Sequence, residues 1–360
     1  MEAAVVLWLT YPWLAVDSSD YLRIASGDFA LLGLRTPAYP LFLAIFQSFA
    51  VPVQLALYLV SVWLVSRLTD ETMFVGLACI YIFPLFYTAQ ILSEGLTIFC
   101  IALVAWALWK GRYLLAGAMS GFAVLARPDQ LVVIPALLLV IAYRREWRRA
   151  LVFVLAAFVV LLPYMSWNAY EYGKLTPVPV QSTIGQSLYL ASWEGEISLD
   201  SLRYLSSGPL TAEAERSGFA PEVRRINAEG GTSDEYMAAA FHRMTVGGVV
   251  SHAVRMVWRL FNTGTYPAPR IVNLALIAIS AIVWALGMVG LGLFWRRPET
   301  AIFLAVLIPH LFLHTEARYT ASIRLILMLF AVELVRQVLI PAWSRFRPVP
   351  AGGEERRSAG

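Results

Sequence analysis

The sequence predicts an all-α fold: a polytopic transmembrane helical bundle of about ten spans. Three observations predict it. Of the 360 residues, 59% are hydrophobic and only 14% charged, against roughly half and a quarter in soluble globular domains. The mean hydropathy is +0.66. Apolar runs recur along most of the chain, which is the pattern of many spans rather than one anchor. The net charge of +4 is small, and its basic residues form short clusters between apolar runs. That distribution suits membrane topology and argues against a nucleic-acid partner.

The first apolar run, 3–16, holds about 14 residues and rises roughly 21 Å, short of a ~30 Å hydrocarbon core. Met1-Glu2 offers no basic n-region, so the run reads as a short first span or a truncated start rather than a leader. The second span is expected at about 51–68, after an apolar stretch at 37–50. Hydropathy places the next five at about 73–92, 95–110, 113–127, 130–143 and 149–167. A polar region follows at 168–250. The last three spans are expected at about 272–295, 299–314 and 320–340. The chain thus divides into an N-terminal transmembrane module, 1–167, with a first external loop at 17–50; an external polar loop, 168–271; C-terminal transmembrane helices, 272–345; and a tail, 346–360.

Lys and Arg set the orientation. Alternate connections carry Arg67; Lys110 and Arg112; Arg144, Arg145, Arg148 and Arg149; Arg296 and Arg297; and Arg345, Arg347, Arg356 and Arg357. All fall on one side of a ten-span arrangement, which is then the cytoplasm and holds both termini. The expectation is a multi-pass membrane protein whose polar motifs face the non-cytoplasmic side. Within the polar region, Val250, Val254, Val257 and Phe261 share one face of a helix over 245–261, with Arg255 and Arg259 elsewhere. This is either a helix lying at the membrane surface or an ordinary packed loop helix. Cys79 and Cys100 sit inside apolar runs and have no disulfide or zinc spacing.

Acids and arginines at the ends of apolar helices are costly and often functional. Asp17 and Asp20 follow the first span with Tyr21. A carboxylate there serves as a general base or as a solvated helix cap. Arg35-Thr-Pro-Ala-Tyr39-Pro40 enters the next apolar stretch; Arg35 suits a phosphate, a carboxylate or a snorkelling position. Glu94, after Ser93, lies between two apolar runs and requires water, a cation or an arginine. Arg127, in Arg127-Pro128-Asp129, opposes the positive-inside trend, so a lipid-linked phosphate or a structural pair with Asp129 is implied. His310 and His314, four apart, share a helix face; with Glu316 they suit either a divalent metal or packing roles. Arg318, beside Tyr319, is a further external arginine suited to phosphate.

These motifs occur in an order that resembles the GT-C glycosyltransferases. The likeness is to the bacterial branch related to protein O-mannosyltransferases and lipid A aminoarabinose transferases. It runs from Asp17 and Tyr21 through Arg35-Thr-Pro-x-Tyr-Pro, Ser93-Glu94, Leu125-Ala-Arg127-Pro128 and Pro163 with Asn168 to Glu316-x-Arg318-Tyr319. The resemblance implies a transmembrane bundle whose first external loop carries an essential acid, with 37–50 as a juxtamembrane helix. It implies transfer of a sugar from a polyprenyl-phosphate carrier to a lipid, protein or glycan acceptor, with inversion. Asp17 would then be the base, with Asp20 second. Glu94 would shape the acceptor or sugar site, and Arg127 and Arg318 would hold the carrier phosphate. Arg35, Tyr39, Asn168 and Tyr319 complete the implied substrate-binding set. No cofactor is required, and a divalent metal at His314 and Glu316 stays open. The rival from another class is a transporter or flippase of lipid-linked saccharides. It would need similar arginines, but the chain lacks the inverted repeats common in transporters.

Overall fold

The computed structural model describes residues 17–180, 183–193, 196–197, 212–229, 231–261, 270–311 and 320–345. The expected first span and the tail lie outside them. Every regular element among the described residues is a helix.

The N-terminal elements are α1 (Ser18–Ala25), a 3-10 turn (Phe29–Gly33) and α2 (Ala38–Phe46). A 3-10 turn at Gln47–Phe49 leads into α3 (Ala50–Ser66), with Gln47 at a positive φ of 47°. Then come α4 (Glu71–Ile80), α5 (Phe83–Thr88), α6 (Glu94–Trp109), α7 (Tyr113–Ala126), α8 (Val133–Tyr143) and α9 (Trp147–Tyr172). Three continuous stretches are long and apolar enough to cross a membrane: Ala38–Ser66, Trp147–Tyr172 and Ala321–Ala342. The other apolar stretches are shorter, at 10–17 residues, among them Ile277–Leu293. The helix surfaces agree with a lipid environment. Leu151, Leu155, Phe158, Val159 and Leu162 form an exposed apolar face on α9, a pattern that would be an aggregation hazard in water.

Several boundaries differ from expectation for local reasons. The stretch expected at 73–92 is two helices. Asp70 caps the first by accepting from the Met73 amide at 3.0 Å, and Pro84 sits in the first turn of the second, where proline lacks only an orphan N–H. α7 stops at Ala126 because Arg127 turns extended, φ −149° and ψ 122°, the conformation favoured before proline. α9 runs on to Tyr172, beyond the expected 167, and ends on Gly173 in the left-handed region.

Two close helix contacts set the architecture. On α7, a Cβ at Gly117 would lie 2.1 Å from the Phe153 carbonyl oxygen of α9, and one at Gly121 would lie 2.7 Å from that of Ala157. The matched increments show that α7 and α9 run parallel. α15 (Arg270–Leu293) and α17 (Ala321–Leu334) repeat the arrangement: Gly287 meets Leu327 and Gly290 meets Phe330. α16 (Pro298–His310) returns the chain between them. Without a hydrophobic force between helices in lipid, such small-residue seams permit the backbone approach that van der Waals packing needs. Helices therefore alternate in direction, and one end of the bundle gathers Glu94, Arg127, His310 and the start of α17. The opposite end gathers Arg112, Glu146 and Arg297. There Arg297 reaches Glu299 at 3.3 Å and Glu333 at 3.7 Å, and both acids are buried.

The polar region builds a second core. α10 (Thr183–Trp193), α11 (Ala212–Ser217), α12 (Phe219–Glu229) and α13 (Ser233–Arg243) enclose Tyr189, Trp193, Phe219 and Tyr236. A capping box of Thr232 and Glu235 starts α13. α14 (Val246–Phe261) leaves Val246, Val250, Val254 and Val257 exposed along one face. Three of these, Val250, Val254 and Val257, are positions placed on one face from the sequence.

Candidate functional site

α1 is built to present two acids. Ser18, Tyr21 and Ile24 form its buried face, and Ser18 Oγ donates to the Ile91 carbonyl at 2.7 Å. Asp17 and Asp20, three apart, share an adjoining face. Arg35 sits over them. Its Nη2 donates to Asp17 Oδ1 at 2.7 Å and to Asp20 Oδ2 at 3.0 Å, and its Nε to Asp20 Oδ2 at 3.1 Å. Asp17 occupies the N-cap position of α1 yet makes no side-chain cap hydrogen bond. Of the partners open to Arg35 it takes carboxylates, and Asp17 is ion-paired rather than serving as a solvated cap. Burial works against the Arg35 charge, and the Asp17 carboxylate leads the neighbours that overcome it, holding the guanidinium above its ordinary pKa. The side chains stay partly open, 18% exposed for Asp17 and 30% for Asp20. A carboxylate that must reach a substrate proton needs that access.

Tyr21 connects this pair to a drier cluster. Its hydroxyl lies 3.4 Å from Ser93 Oγ, its ring packs edge-on to Tyr39 with centroids 4.9 Å apart, and the Arg35 guanidinium carbon stands 5.6 Å from its centroid. Tyr39 is fully buried, and its hydroxyl makes no hydrogen bond among the described residues.

Beyond Ser93, Glu94 begins α6 with its side chain 3% exposed. Arg127 Nη1 holds Glu94 Oε1 at 2.8 Å, and its Nε and Nη2 close on Asp129, the shortest contact being 3.0 Å. Asp129 Oδ2 continues to His310 Nε2 at 3.2 Å, while His310 Nδ1 faces the Val306 carbonyl at 2.6 Å. Burial disfavours the Asp129 charge, but Arg127 and His310 outweigh it, so this carboxyl in the turn between α7 and α8 is held well below the usual range. The Glu94–Arg127–Asp129–His310 chain ties α6, α7, the following turn and α16 together at one end of the bundle.

This geometry reshapes the expected role of Arg127. Its fork is spread over two carboxylates, which is the structural pair weighed from the sequence extended to a third member. Its side chain is only 12% exposed, so it is poorly placed to grip a carrier phosphate. Asn168 is buried too, and its amide donates to the carbonyls of Thr176 at 2.8 Å and Val178 at 3.2 Å. It staples the chain that leaves α9. His314, Glu316, Arg318 and Tyr319 lie outside the described residues. Among the described residues no group of three or more His, Cys, Asp or Glu is placed to hold a metal, and both ring nitrogens of His310 already face oxygens.

Two supporting groups were not singled out from the sequence. Gln54 on α3 donates to the Thr88 and Gln90 carbonyls, both at 2.8 Å, which fixes the segment leading to Glu94. Arg324 is fully buried on α17. It donates to the Tyr81 hydroxyl at 2.6 Å, to Ser280 at 3.2 Å and to Thr320 at 3.2 Å, and lies 4.0 Å over the Phe83 ring. An ionisable residue inside an apolar run is the signal that marks it.

No protein-family model matches the chain, and no curated protein or solved structure matches it either.

Proposed function

We propose that the chain is an inverting membrane glycosyltransferase of the GT-C type, crossing the membrane about ten times with its site on the periplasmic or external face. It takes a sugar from a polyprenyl-phosphate carrier and delivers it to a lipid, protein or glycan acceptor. One observation carries the reading: Asp17 and Asp20 share Arg35, and Tyr21 joins them to the buried Glu94–Arg127 pair at the same end of the bundle. The resemblance of the motif order supplies the chemistry.

In this reaction an acceptor hydroxyl attacks the anomeric carbon. The new C–O bond forms as the bond to the carrier phosphate breaks, and the electron pair leaves with the polyprenyl phosphate. Asp17 accepts the hydroxyl proton, with Asp20 the alternative, and Arg35 orients both carboxylates. Glu94, held by Arg127, shapes the sugar or acceptor site. The phosphate requires an always-charged planar cation, a role that falls to Arg318. Charge developing on the leaving oxygens is thereby stabilised, and water stays away from the buried half of the site. No step here runs through a metal.

The test is turnover of radiolabelled polyprenyl-phosphate sugars by the purified full chain, with and without chelator, against a pool of acceptors. Asp17→Asn is expected to lower transfer by roughly 10²–10⁴-fold, the usual worth of a general base, while the thermal midpoint stays near that of the parent. Carrier movement without cleavage of the sugar–phosphate bond would instead establish the flippase, and unaltered transfer in both Asp17→Asn and Asp20→Asn would remove the assigned base.

A further inference from the structure

The end of the bundle away from Glu94 carries a site of its own. Below the Gly117–Phe153 seam, α7 and α9 leave a cavity of about 560 Å³ between their first turns. That volume falls within the range of small-molecule sites, about 300–1,000 Å³. Leu114, Leu115 and Val152 form its apolar wall, and Arg112, Arg148 and Arg149 stand around it. A neighbouring cavity of about 400 Å³ is lined by Arg145, Arg148 and Arg149 with Glu146 and Trp147.

The local charges are unequally satisfied. Glu146 is the acid present: it takes Arg149 at 2.9 Å and accepts from the Tyr113 hydroxyl at 2.6 Å. The Arg149 guanidinium also stacks near Tyr113, 5.2 Å from the ring centroid. Arg112 lies 5.2 Å from the Trp106 ring centroid. Among the described residues no carboxylate pairs with Arg112 or Arg148. The wall runs onto the exposed apolar face of α9 at Leu151, Val152 and Leu155. A ligand here therefore meets cations at one end and a lipid-facing hydrocarbon surface at the other.

We infer that this cavity binds the phosphodiester headgroup of an anionic phospholipid, with its acyl chains lying along α9. Charge complementarity selects an anion, and planar guanidinium groups suit phosphate oxygens. The continuous apolar wall selects a lipid over a free phosphate. Basic pockets between helices at a cytoplasmic surface are suited to such headgroups, and the basic connections place this end there. A general positive-inside bias would spread its effect over every arginine at this end; a site concentrates it on Arg112 and Arg148. The inference does not depend on the transferase reading.

Native mass spectrometry of the delipidated full chain tests it, with added phosphatidylglycerol, phosphatidylcholine or inorganic phosphate. The parent is expected to retain phosphatidylglycerol in preference to phosphatidylcholine. The Arg112→Ala/Arg148→Ala double variant should retain it roughly thirtyfold less, given the attraction each arginine has for an anionic lipid surface. An Arg67→Ala/Arg296→Ala variant removes the same charge from exposed arginines at the same end and should bind like the parent. Both variants should keep the parental thermal midpoint without added lipid. Equal retention of the two lipids, equal losses in the two double variants, or displacement of phosphatidylglycerol by millimolar phosphate would each overturn the assignment.

Discussion

The Tyr21 hydroxyl lies 3.4 Å from Ser93 Oγ, bringing the helix that bears Asp17 and Asp20 against the residue that precedes Glu94. Its ring packs on Tyr39 and lies beneath Arg35. Tyr21→Phe is expected to cost about 1 kcal/mol, the net worth of a hydrogen bond. Tyr21→Ala should cost about 3–5 kcal/mol, as for a buried aromatic side chain. Unfolding midpoints in detergent measure both. Costs that are equal within error would show that the packing of the ring on Tyr39 contributes nothing beyond the hydroxyl.

Arg127 stands between Glu94 and Asp129, so its loss removes the cation that the two acids share, while Asp129 keeps His310. Arg127→Met is expected to destabilise by about 3–5 kcal/mol, the penalty of an uncompensated buried charge. Adding Glu94→Gln to that variant should restore part of the loss, with a coupling of roughly 0.5–3 kcal/mol. Strict additivity in the double-mutant cycle would contradict the ion pair.

Gly117 and Gly292 are both helical glycines in different surroundings. At Gly117 an added methyl meets the Phe153 backbone, which has no rotamer with which to yield, whereas at Gly292 it meets open space. Gly117→Ala should therefore destabilise by about 1–3 kcal/mol through overpacking. Gly292→Ala should be neutral or up to about 1 kcal/mol stabilising through helix propensity. Thermal scans of the two variants side by side check the sign as well as the size.

Ser26 and Arg145 are exposed at opposite ends of the bundle. A membrane-impermeant maleimide should label Ser26→Cys from outside intact cells, and Arg145→Cys only after permeabilisation, in a background without Cys79 and Cys100. Labelling of both from the same side would remove the alternating arrangement.

The sequence disclosed the helices, the polar ends and the ordered acids because burying charge leaves few placements open. It did not disclose how the charges pair. Arg35 was equally fit for phosphate or carboxylate, and only the turn at Phe29–Gly33, which returns Arg35 over α1, decides between them. Arg127 was open to a lipid-linked phosphate or to a pair with Asp129; the structure shows that pair, and adds Glu94, which no local spacing pointed to. Arg324 escaped notice because hydropathy averaging dilutes one charge among apolar neighbours. The Gly117-x-x-x-Gly121 spacing was readable as a helix-packing signal, but its partner surface, Phe153 and Ala157, carries no motif. The break between Ile80 and Phe83 was marked only by Pro84.

The glycine seam between α7 and α9 also bears on how the protein is made. Parallel neighbours cannot meet until an intervening helix has carried the chain back, so α7 is complete while its partner α9 is still on the ribosome. At about 5–20 residues per second, synthesis from Gly117 to Phe153 takes roughly two to seven seconds. Through that interval the backbone groove at Gly117 and Gly121 lacks the α9 surface that fills it in the finished fold. The same delay recurs for Gly287 and Gly290 before α17 arrives. Slow translation across residues 122–153 would lengthen the exposure, which makes this stretch the place where biogenesis, rather than the finished fold, is most easily disturbed.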